Sequence, residues 1–313
     1  MKAVFLDRGS FPENIDIPLP DCITQSEFYH NSDDSNVVER IQDAEIILTN
    51  KVKLNQAQLA QAPNLKLIQV MATGLNNVDL EACASLGIAV RNVSGYSTEA
   101  VPEHTFSLIL ALRRKVFQYH QDVRNGRWAH SEFFCFMDHP MQDIYGSTLA
   151  IIGKGALGTR VATIAEAFGM KTVFAEHKSA TKIRSGYVAF EEAISSADII
   201  TLHCPLTSDT KDLINAEAFA KMKSNALVIN TGRGGLVNEE DLVSALTSGQ
   251  IAGAGFDVAT VEPMPQDHIL NTLMDMPNFL LTPHVAWASE NAMTRLVNIA
   301  ATNIETFVKQ EAK

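Results

Sequence analysis

Short apolar runs alternate with longer stretches of helical spacing along the chain. Residues 2–6, 44–49, 66–71 and 88–91 each read as a short buried strand, with polar or helical segments between them. This is the βα alternation of a parallel sheet. A long helix is expected from Ser97. There Ser97-Thr98-Glu99 offers a capping start, and Phe106, Ile109, Leu110, Leu112 and Val116 follow at helical spacing. The helix should fray by Asn125-Gly126. Residues 126–147 read as irregular yet carry Trp128, Phe133, Phe134, Cys135, Phe136 and Met137. So apolar a connection is costly in water, so it is expected to pack on the core or to cover a partner subunit.

A second alternation begins at Thr148. Strand-like runs fall at 148–152, 171–175, 197–202, 225–230, 251–257 and 278–281, and helical runs at 156–168, 189–195, 215–222, 238–248 and 288–309. Six strands with intervening helices predict a doubly wound domain. The last helix lies beyond that set and is free to return to the first domain. The fold class is therefore α/β with two doubly wound parallel-sheet domains.

Length agrees with two domains, since 313 residues is about twice a typical domain of ~100–200 residues. Charge narrows the partners. With 25 Lys+Arg against 36 Asp+Glu the chain carries −11, and no basic cluster offsets it. That disfavours nucleic acid and anionic membranes, which need positive charge facing phosphate. No apolar run approaches the ~20 residues of a membrane span, and the N-terminal run meets Asp7 too soon for a signal peptide. Cys22, Cys83, Cys135 and Cys204 are far apart and form no CxxC pair, so neither a disulfide framework nor a metal site is expected. A reducing, cytoplasmic compartment is the simplest reading.

The first candidate chemistry is Gly153-Lys154-Gly155-Ala156-Leu157-Gly158, which follows the strand TLAII directly and opens a helix. A GxGxxG in that context is a dinucleotide loop. Gly153 permits the tight turn, Gly155 lets a pyrophosphate approach the backbone, and Gly158 lets helix and strand pack closely. The unpaired N–H groups of the helix N-terminus then face the phosphates. The fingerprint also needs an acid at the end of the next strand. Glu176 stands there, 18 residues after Gly158. A carboxylate in that place accepts from the adenosine ribose hydroxyls and repels a 2′-phosphate, which favours NAD over NADP. His177 and Lys178 beside it temper the repulsion.

Three downstream segments end strands with reactive residues: Asn230-Thr231-Gly232-Arg233-Gly234-Gly235, Glu262-Pro263 after Gly255-Phe256-Asp257-Val258, and Thr282-Pro283-His284-Val285-Ala286-Trp287. Open α/β sheets bind ligands outside the carboxyl ends of their strands. Together with the glycine loop, Glu176 and His203-Cys204-Pro205-Leu206-Thr207, these segments give the chain its resemblance, over nearly its full length, to the D-isomer-specific 2-hydroxyacid dehydrogenases. Residues 72–79, 95–98 and 284–287 are worded like the glycerate dehydrogenase (hydroxypyruvate reductase) branch.

The resemblance implies roles. Arg233 would hold the substrate carboxylate and keto oxygen through its planar fork, His284 would be the acid and base at the carbonyl oxygen, and Glu262 would orient the imidazole. Ala72, Thr73, Gly74 and Leu75 would offer backbone N–H groups to the substrate carboxylate, and Trp287 would border the substrate. Asp257 would hold the nicotinamide carboxamide. Thr98, Cys204, Pro205 and Thr231 would line the nicotinamide side together with Arg233. The resemblance further implies a flavodoxin-like substrate-binding domain of residues 1–98 plus 287–313, a Rossmann NAD-binding domain of residues 99–286, a cleft between them, and a homodimer built on the helix from Ser97 and segment 126–137. Two features depart from the family: Lys154 stands where an apolar residue is usual, and Pro102 where a small one is common.

His30, His120, His130, His139 and His268 carry no motif and read as structural, whereas His104 and His203 are placed to support the site without reacting. D-Lactate dehydrogenase and glyoxylate reductase remain alternatives. They differ in one small substituent, and such a group is worth only ~1–3 kcal/mol of discrimination. An alternative from a different class is an NAD(H)-sensing, corepressor-like scaffold with little turnover.

Overall fold

The structure is a computed structural model in which residues 1–311 are described; Ala312 and Lys313, the end of the expected segment 287–313, lie outside the described residues. The chain divides into two compact units, Met1–Ser97 with Ala288–Lys313, and Thr98–Trp287. Thr98 and Trp287 thus both fall in the second unit.

The first unit is a parallel five-stranded sheet of β1 (Lys2–Phe5), β2 (Gln25–Phe28), β3 (Ile46–Thr49), β4 (Leu67–Val70) and β5 (Ala89–Arg91), in the order β2-β1-β3-β4-β5. Strands β1, β3 and β4 are mainly apolar and, apart from Lys2, buried, as expected of a parallel sheet covered on both faces. Strand β2 was not anticipated. Its sequence QSEF is polar and largely exposed, because it is an edge strand with one neighbour. Helices α1 (Val37–Ile41), α2 (Gln56–Leu59) and α3 (Leu80–Leu86) bury Val37, Ile41, Leu59, Ala82 and Cys83 against Val4, Ile47, Ile68 and Val70. The C-terminal helix Glu290–Glu311 packs on β4 and buries Met293, Leu296, Val297, Ala300, Ile304 and Phe307 along one stripe.

The second unit opens with α4 (Ala100–Arg114) and α5 (Val116–Arg124). A single helix from Ser97 was expected. Instead Lys115 adopts a left-handed backbone with φ of 55°, which breaks the helix in two and turns Val116 out to solvent. Helix α4 also starts later than expected, at Ala100, and its N-cap Glu99 makes no side-chain capping bond. The sheet that follows is parallel and six-stranded: β6 (Thr148–Ile152), β7 (Lys171–Ala175), β8 (Ile199–Leu202), β9 (Leu227–Asn230), β10 (Gly253–Phe256) and β11 (Phe279–Leu281), ordered β11-β10-β9-β8-β6-β7. Helices α6 (Ala156–Ala167), α7 (Phe190–Ser196), α8 (Ala216–Lys221) and α9 (Glu239–Thr247) alternate with the strands.

Period-two alternation along the strands builds two cores. Ala150, Ile152, Ile200, Leu202 and Val228 face Phe190 and Ile194 of α7, Phe219 of α8, and Leu242 and Leu246 of α9. Leu149, Ile151, Ile199, Leu227 and Ile229 face Phe106, Ile109 and Leu112 of α4 and Val161 and Ala165 of α6. Each fully buried aliphatic side chain contributes roughly 1.5–3 kcal/mol, so both faces are strongly held. Segment 126–147 joins the second core through Ile144, while its aromatic stretch stays outside. Apart from a 3-10 turn at Trp128–His130 it is irregular, and Phe133 and Phe134 are 74% and 89% exposed.

Candidate active site

Strand β6 pairs with β7 on one side and β8 on the other, so the strand order reverses at its carboxyl end. Ligands of doubly wound sheets bind at such a point. The glycine loop sits there. Gly153 has φ of +108°, and a Cβ on it would lie 2.5 Å from the His203 carbonyl oxygen. A Cβ on Gly158 would come within 1.9 Å of the Gly153 carbonyl oxygen, so α6 and β6 can meet only with glycine at that position. Gly155 differs, since a Cβ there would meet nothing within 4 Å.

Gly155 is also the N-cap of α6 and makes no side-chain cap. Helices α2, α3, α8 and α9 have side-chain caps from Asn55, Asp79, Asn215 and Asn238. The first turn of α6, with Ala156, Leu157 and Gly158, therefore presents orphan N–H groups to open space, as a diphosphate requires. A cavity of about 600 Å³ adjoins the loop, lined among others by Gly153, Lys154, Glu176, Arg184, Cys204 and Pro205. These residues fit a bound dinucleotide, which when present supplies a nicotinamide carbon able to give or take a hydride.

Glu176 lies at the carboxyl end of β7, only 2% exposed. Its carboxylate accepts four hydrogen bonds: from the His177 N–H at 2.9 Å, the Arg184 N–H at 3.1 Å, Arg184 Nε at 2.7 Å and Arg184 Nη2 at 2.6 Å. The guanidinium, helped by the two backbone donors, holds the carboxyl down to about 2. Sequence reading missed Arg184. The segment around it returns along the sheet edge, where Val188 bridges to Ala175 and the Glu176 N–H donates to the Val188 carbonyl. Lys154, exposed at the rim of the loop, turns toward the aromatic side chains beside it. Its ammonium sits 4.7 Å and 4.9 Å from the ring centroids of Phe174 and Tyr187 and donates to the Gly186 carbonyl.

Along the rest of the cavity, burial pushes the Cys204 thiol up to about 11, so it is un-ionised at neutral pH. Burial of its ring lowers His203 beside it to about 4, hence neutral, with Nε2 on Thr201 Oγ1 at 2.9 Å. Thr231 is buried and shares a 3.0 Å hydrogen bond with Thr105 of α4, and Thr98 donates to Glu99 Oε2.

Arg233, Glu262 and His284 follow three adjacent strands. Phe256 of β10 registers with Asn230 of β9 and with Leu281 of β11, so the three segments leave the sheet side by side. A Cβ on Gly234 would lie 1.9 Å from the Ala259 carbonyl oxygen, which shows how closely the loops after β9 and β10 approach. Arg233 donates to the Gly232 carbonyl, and Asn230 Nδ2 donates to the Arg233 carbonyl. His284 Nδ1 lies 2.6 Å from Glu262 Oε2, while Glu262 Oε1 accepts from the Ala259 N–H. An imidazole tied at Nδ1 to a carboxylate has Nε2 as the atom through which a proton can pass.

His284 has φ of 54°, a costly backbone for a side-chain-bearing residue. Asp257, 1% exposed, holds it there. Its Oδ1 accepts from the Val285 N–H at 2.9 Å and from Thr282 Oγ1 at 2.5 Å, and its Oδ2 accepts from the Ala286 N–H at 2.8 Å. Behind them His104 Nε2 meets Thr282 Oγ1 at 2.9 Å, and the Trp287 indole donates to the His284 carbonyl. His268, read as structural, bonds Thr260 Oγ1 and lies 3.3 Å from Glu239, which pins the loop before Glu262. Nothing in the sequence marked Glu239, and Thr282 stood in a named segment without a role.

Ala72, Thr73, Gly74 and Leu75 lie in the first unit, just beyond β4. Thr73 Oγ1 donates to the Val93 carbonyl, Asn92 Nδ2 donates to the Thr73 carbonyl, and the Val93 N–H donates to the Ala72 carbonyl. The loop after β4 is thus stitched to the end of β5.

A dinucleotide loop at the switch point of a parallel sheet, with an Arg, a Glu and a His on its strand ends, defines an α/β nicotinamide oxidoreductase. Residues 106–286 match the NAD-binding domain of the D-isomer-specific 2-hydroxyacid dehydrogenases. A glycerate dehydrogenase of Methylorubrum extorquens is 46% identical over 308 residues, covering 98% of this chain and 96% of that protein. Among solved structures, a D-lactate dehydrogenase of Aquifex aeolicus complexed with NAD and lactic acid superposes with a TM-score of 0.82, at 28% identity, over 99% of this chain and 96% of that one. An NADPH-dependent glyoxylate/hydroxypyruvate reductase of Sinorhizobium meliloti, in complex with NADP and malonate, gives 0.83 at 26% identity over 98% and 93%. The chain belongs to the D-isomer-specific 2-hydroxyacid dehydrogenase family. It is an NAD-dependent oxidoreductase acting on the CH–OH group of 2-hydroxy acids.

Proposed function

We propose that the enzyme interconverts hydroxypyruvate and D-glycerate, with His284 as acid and base, Glu262 as its orienting partner and Arg233 as the holder of the substrate's carboxylate and keto oxygen. The observation that carries the chemistry is the 2.6 Å contact between His284 Nδ1 and Glu262. It fixes the ring so that Nε2 gives a proton to the carbonyl oxygen on reduction and recovers it from the hydroxyl on oxidation. Arg233 suits the neighbouring oxygen pair because its donors form a planar fork. The branch rests on the glycerate dehydrogenase relative at 46% identity over almost the whole chain.

The test is a nicotinamide absorbance assay with NADH against hydroxypyruvate, glyoxylate, pyruvate and bulkier 2-oxo acids. Hydroxypyruvate should give the highest kcat/KM. A clear preference for pyruvate or glyoxylate moves the enzyme to the lactate or glyoxylate branch. NADH binding with no turnover on any of them supports the sensing scaffold instead.

The working form is read as a cytoplasmic homodimer. Phe117, Trp128, Phe133, Phe134, Met137 and Tyr145 are all exposed within one stretch of chain, a concentration of apolar side chains that suits a protein interface. A second copy of this chain is the occupant, and sedimentation at micromolar concentration should give twice the 34.2 kDa chain mass.

A further inference from the structure

We propose that the adenosine end of this site accepts a 2′-phosphate, so that NADPH serves alongside NADH, with Arg184 as the counter-ion of the phosphate. The proposal rests on the reading of residues 153–158 as the dinucleotide loop and deepens it.

A free carboxylate after the second strand of such a sheet would exclude the phosphate in two ways, by accepting from the ribose hydroxyls and by repelling the added charge. Glu176 is not free. A carboxylate has about four lone-pair sites, and Glu176 receives two donors on each oxygen, three of the four from Arg184. A ribose hydroxyl can bond it only by displacing one of these donors. Its charge is also met directly, because Arg184 Nη2 is 2.6 Å from Oε1. As seen from the cavity, the pair carries no net charge.

The two partners are not equally placed. Glu176 is only 2% exposed at its side chain, whereas Arg184 is 54% exposed. The guanidinium therefore covers the acid and is the member of the pair that a ligand meets. It commits Nε and Nη2 to Glu176, two of five N–H donors in a fixed fork, and it stacks 4.2 Å over the Tyr187 ring. That stacking fixes its plane. The remaining donors suit a tetrahedral dianion, which guanidinium groups bind well.

The surrounding charge points the same way. Lys154, Lys178 and Arg184 line this cavity against Glu176 and Asp209, so the cavity carries a small cationic surplus in a chain of net charge −11. Lys154 is held beside the same cluster by its contacts with the Phe174 and Tyr187 rings.

Equilibrium binding of NADH and of NADPH, followed by nicotinamide fluorescence, tests the proposal without turnover. The wild-type protein should bind NADPH within about tenfold of NADH. Adenosine 2′,5′-bisphosphate should likewise displace NADH within about tenfold of the concentration at which adenosine 5′-monophosphate does. Arg184→Ala and Arg184→Gln both remove the counter-ion and expose the Glu176 charge, so each should shift the NADPH-to-NADH ratio of Kd against NADPH by at least about tenfold, the size of a lost charge-assisted contact. NADPH binding more than tenfold weaker than NADH in the wild type overturns the proposal, as does a ratio that moves less than tenfold in both variants. Turnover of hydroxypyruvate with NADH alone would leave the dinucleotide and substrate readings standing and remove only this inference. Absence of binding by either nucleotide would remove the reading beneath it.

Discussion

Two carboxylates, each paired with a nitrogen base, stand at opposite edges of one six-stranded sheet. Beyond β7 is Glu176 with Arg184, and beyond β10 and β11 are Glu262 and His284, each pair in contact at 2.6 Å. Equal distance conceals unequal chemistry. Glu176 is sealed by four donors, and its partner is an arginine, which does not lose its proton in a protein. Glu262 gives Oε1 to one backbone N–H and Oε2 to an imidazole, and both its side chain and that of His284 remain partly exposed. An imidazole gains and loses its proton in the physiological range. The first pair therefore fixes a charge pattern for a ligand to read, and the second is built to pass a proton. What distinguishes them is the partner each acid meets and how far each acid is exposed.

The largest effect belongs to the pair that moves a proton. His284→Gln keeps much of the side-chain volume but cannot act as acid or base. Turnover should fall by about 10²–10⁴-fold, the usual worth of a positioned proton donor, while NADH affinity stays close to that of the wild type. Stopped-flow measurement of the hydride step, beside a fluorescence titration, separates the two. Turnover surviving the change would place the acid elsewhere. Arg233→Lys comes next. A point charge replaces a fork, so the Michaelis constant for hydroxypyruvate should rise and kcat should fall, together costing about 10–100-fold in kcat/KM. Identical kinetics would take Arg233 out of the site.

Glu262→Gln sharpens the comparison further, because it keeps an oxygen for the Ala259 N–H and removes only the charge facing His284. As a positioning residue Glu262 should act mainly on kcat, lowering it by roughly tenfold with the Michaelis constant for substrate nearly unchanged. A variant whose Michaelis constant rises while kcat holds would show that Glu262 serves binding instead.

The contrast between the edges also explains what the sequence disclosed. Strands β6–β11 were legible because a parallel sheet covered on both faces forces continuous apolar runs, and TLAII and ALVIN are such runs. The edge strand β2 had no such signal, since QSEF pairs on one side only and faces water. Glu176 and His284 were marked by spacing from glycine and proline landmarks. Arg184 was not, because its place depends on a turn at Gly186, with φ of +78°, that brings residues 184–188 back along β7. The roles of Thr282 and Glu239 likewise rest on contacts across loops, 25 residues from Thr282 to Asp257 and 21 from Glu239 to Thr260. The break at Lys115 was hidden by a helical pattern that runs through it, and no glycine or proline interrupts residues 103–125.

The smallest effect is the acid dependence of the sealed pair. The Glu176 carboxyl is ordinary in the unfolded chain, at 4.5, and is held at about 2 in the folded protein, first by the Arg184 guanidinium and then by the backbone donors of His177 and Arg184. Between these values the unfolded state binds the proton and the folded state does not, so stability rises with pH there. The contribution is complete above about pH 4.5 and is lost as pH falls toward 2. Glu176→Gln carries no such titration. Its unfolding midpoint should lie below that of the wild type at neutral pH, and the gap should narrow steadily from pH 4.5 downward. Because Arg184 is half in solvent, the gap is modest and shrinks in high salt. Denaturant melts of both proteins across this range read it directly. A gap of constant size from pH 6 to pH 2.5 would mean that the glutamine disturbs packing at β7 rather than charge, and that the Glu176–Arg184 pair does not hold the fixed charge that sets this edge apart from the other.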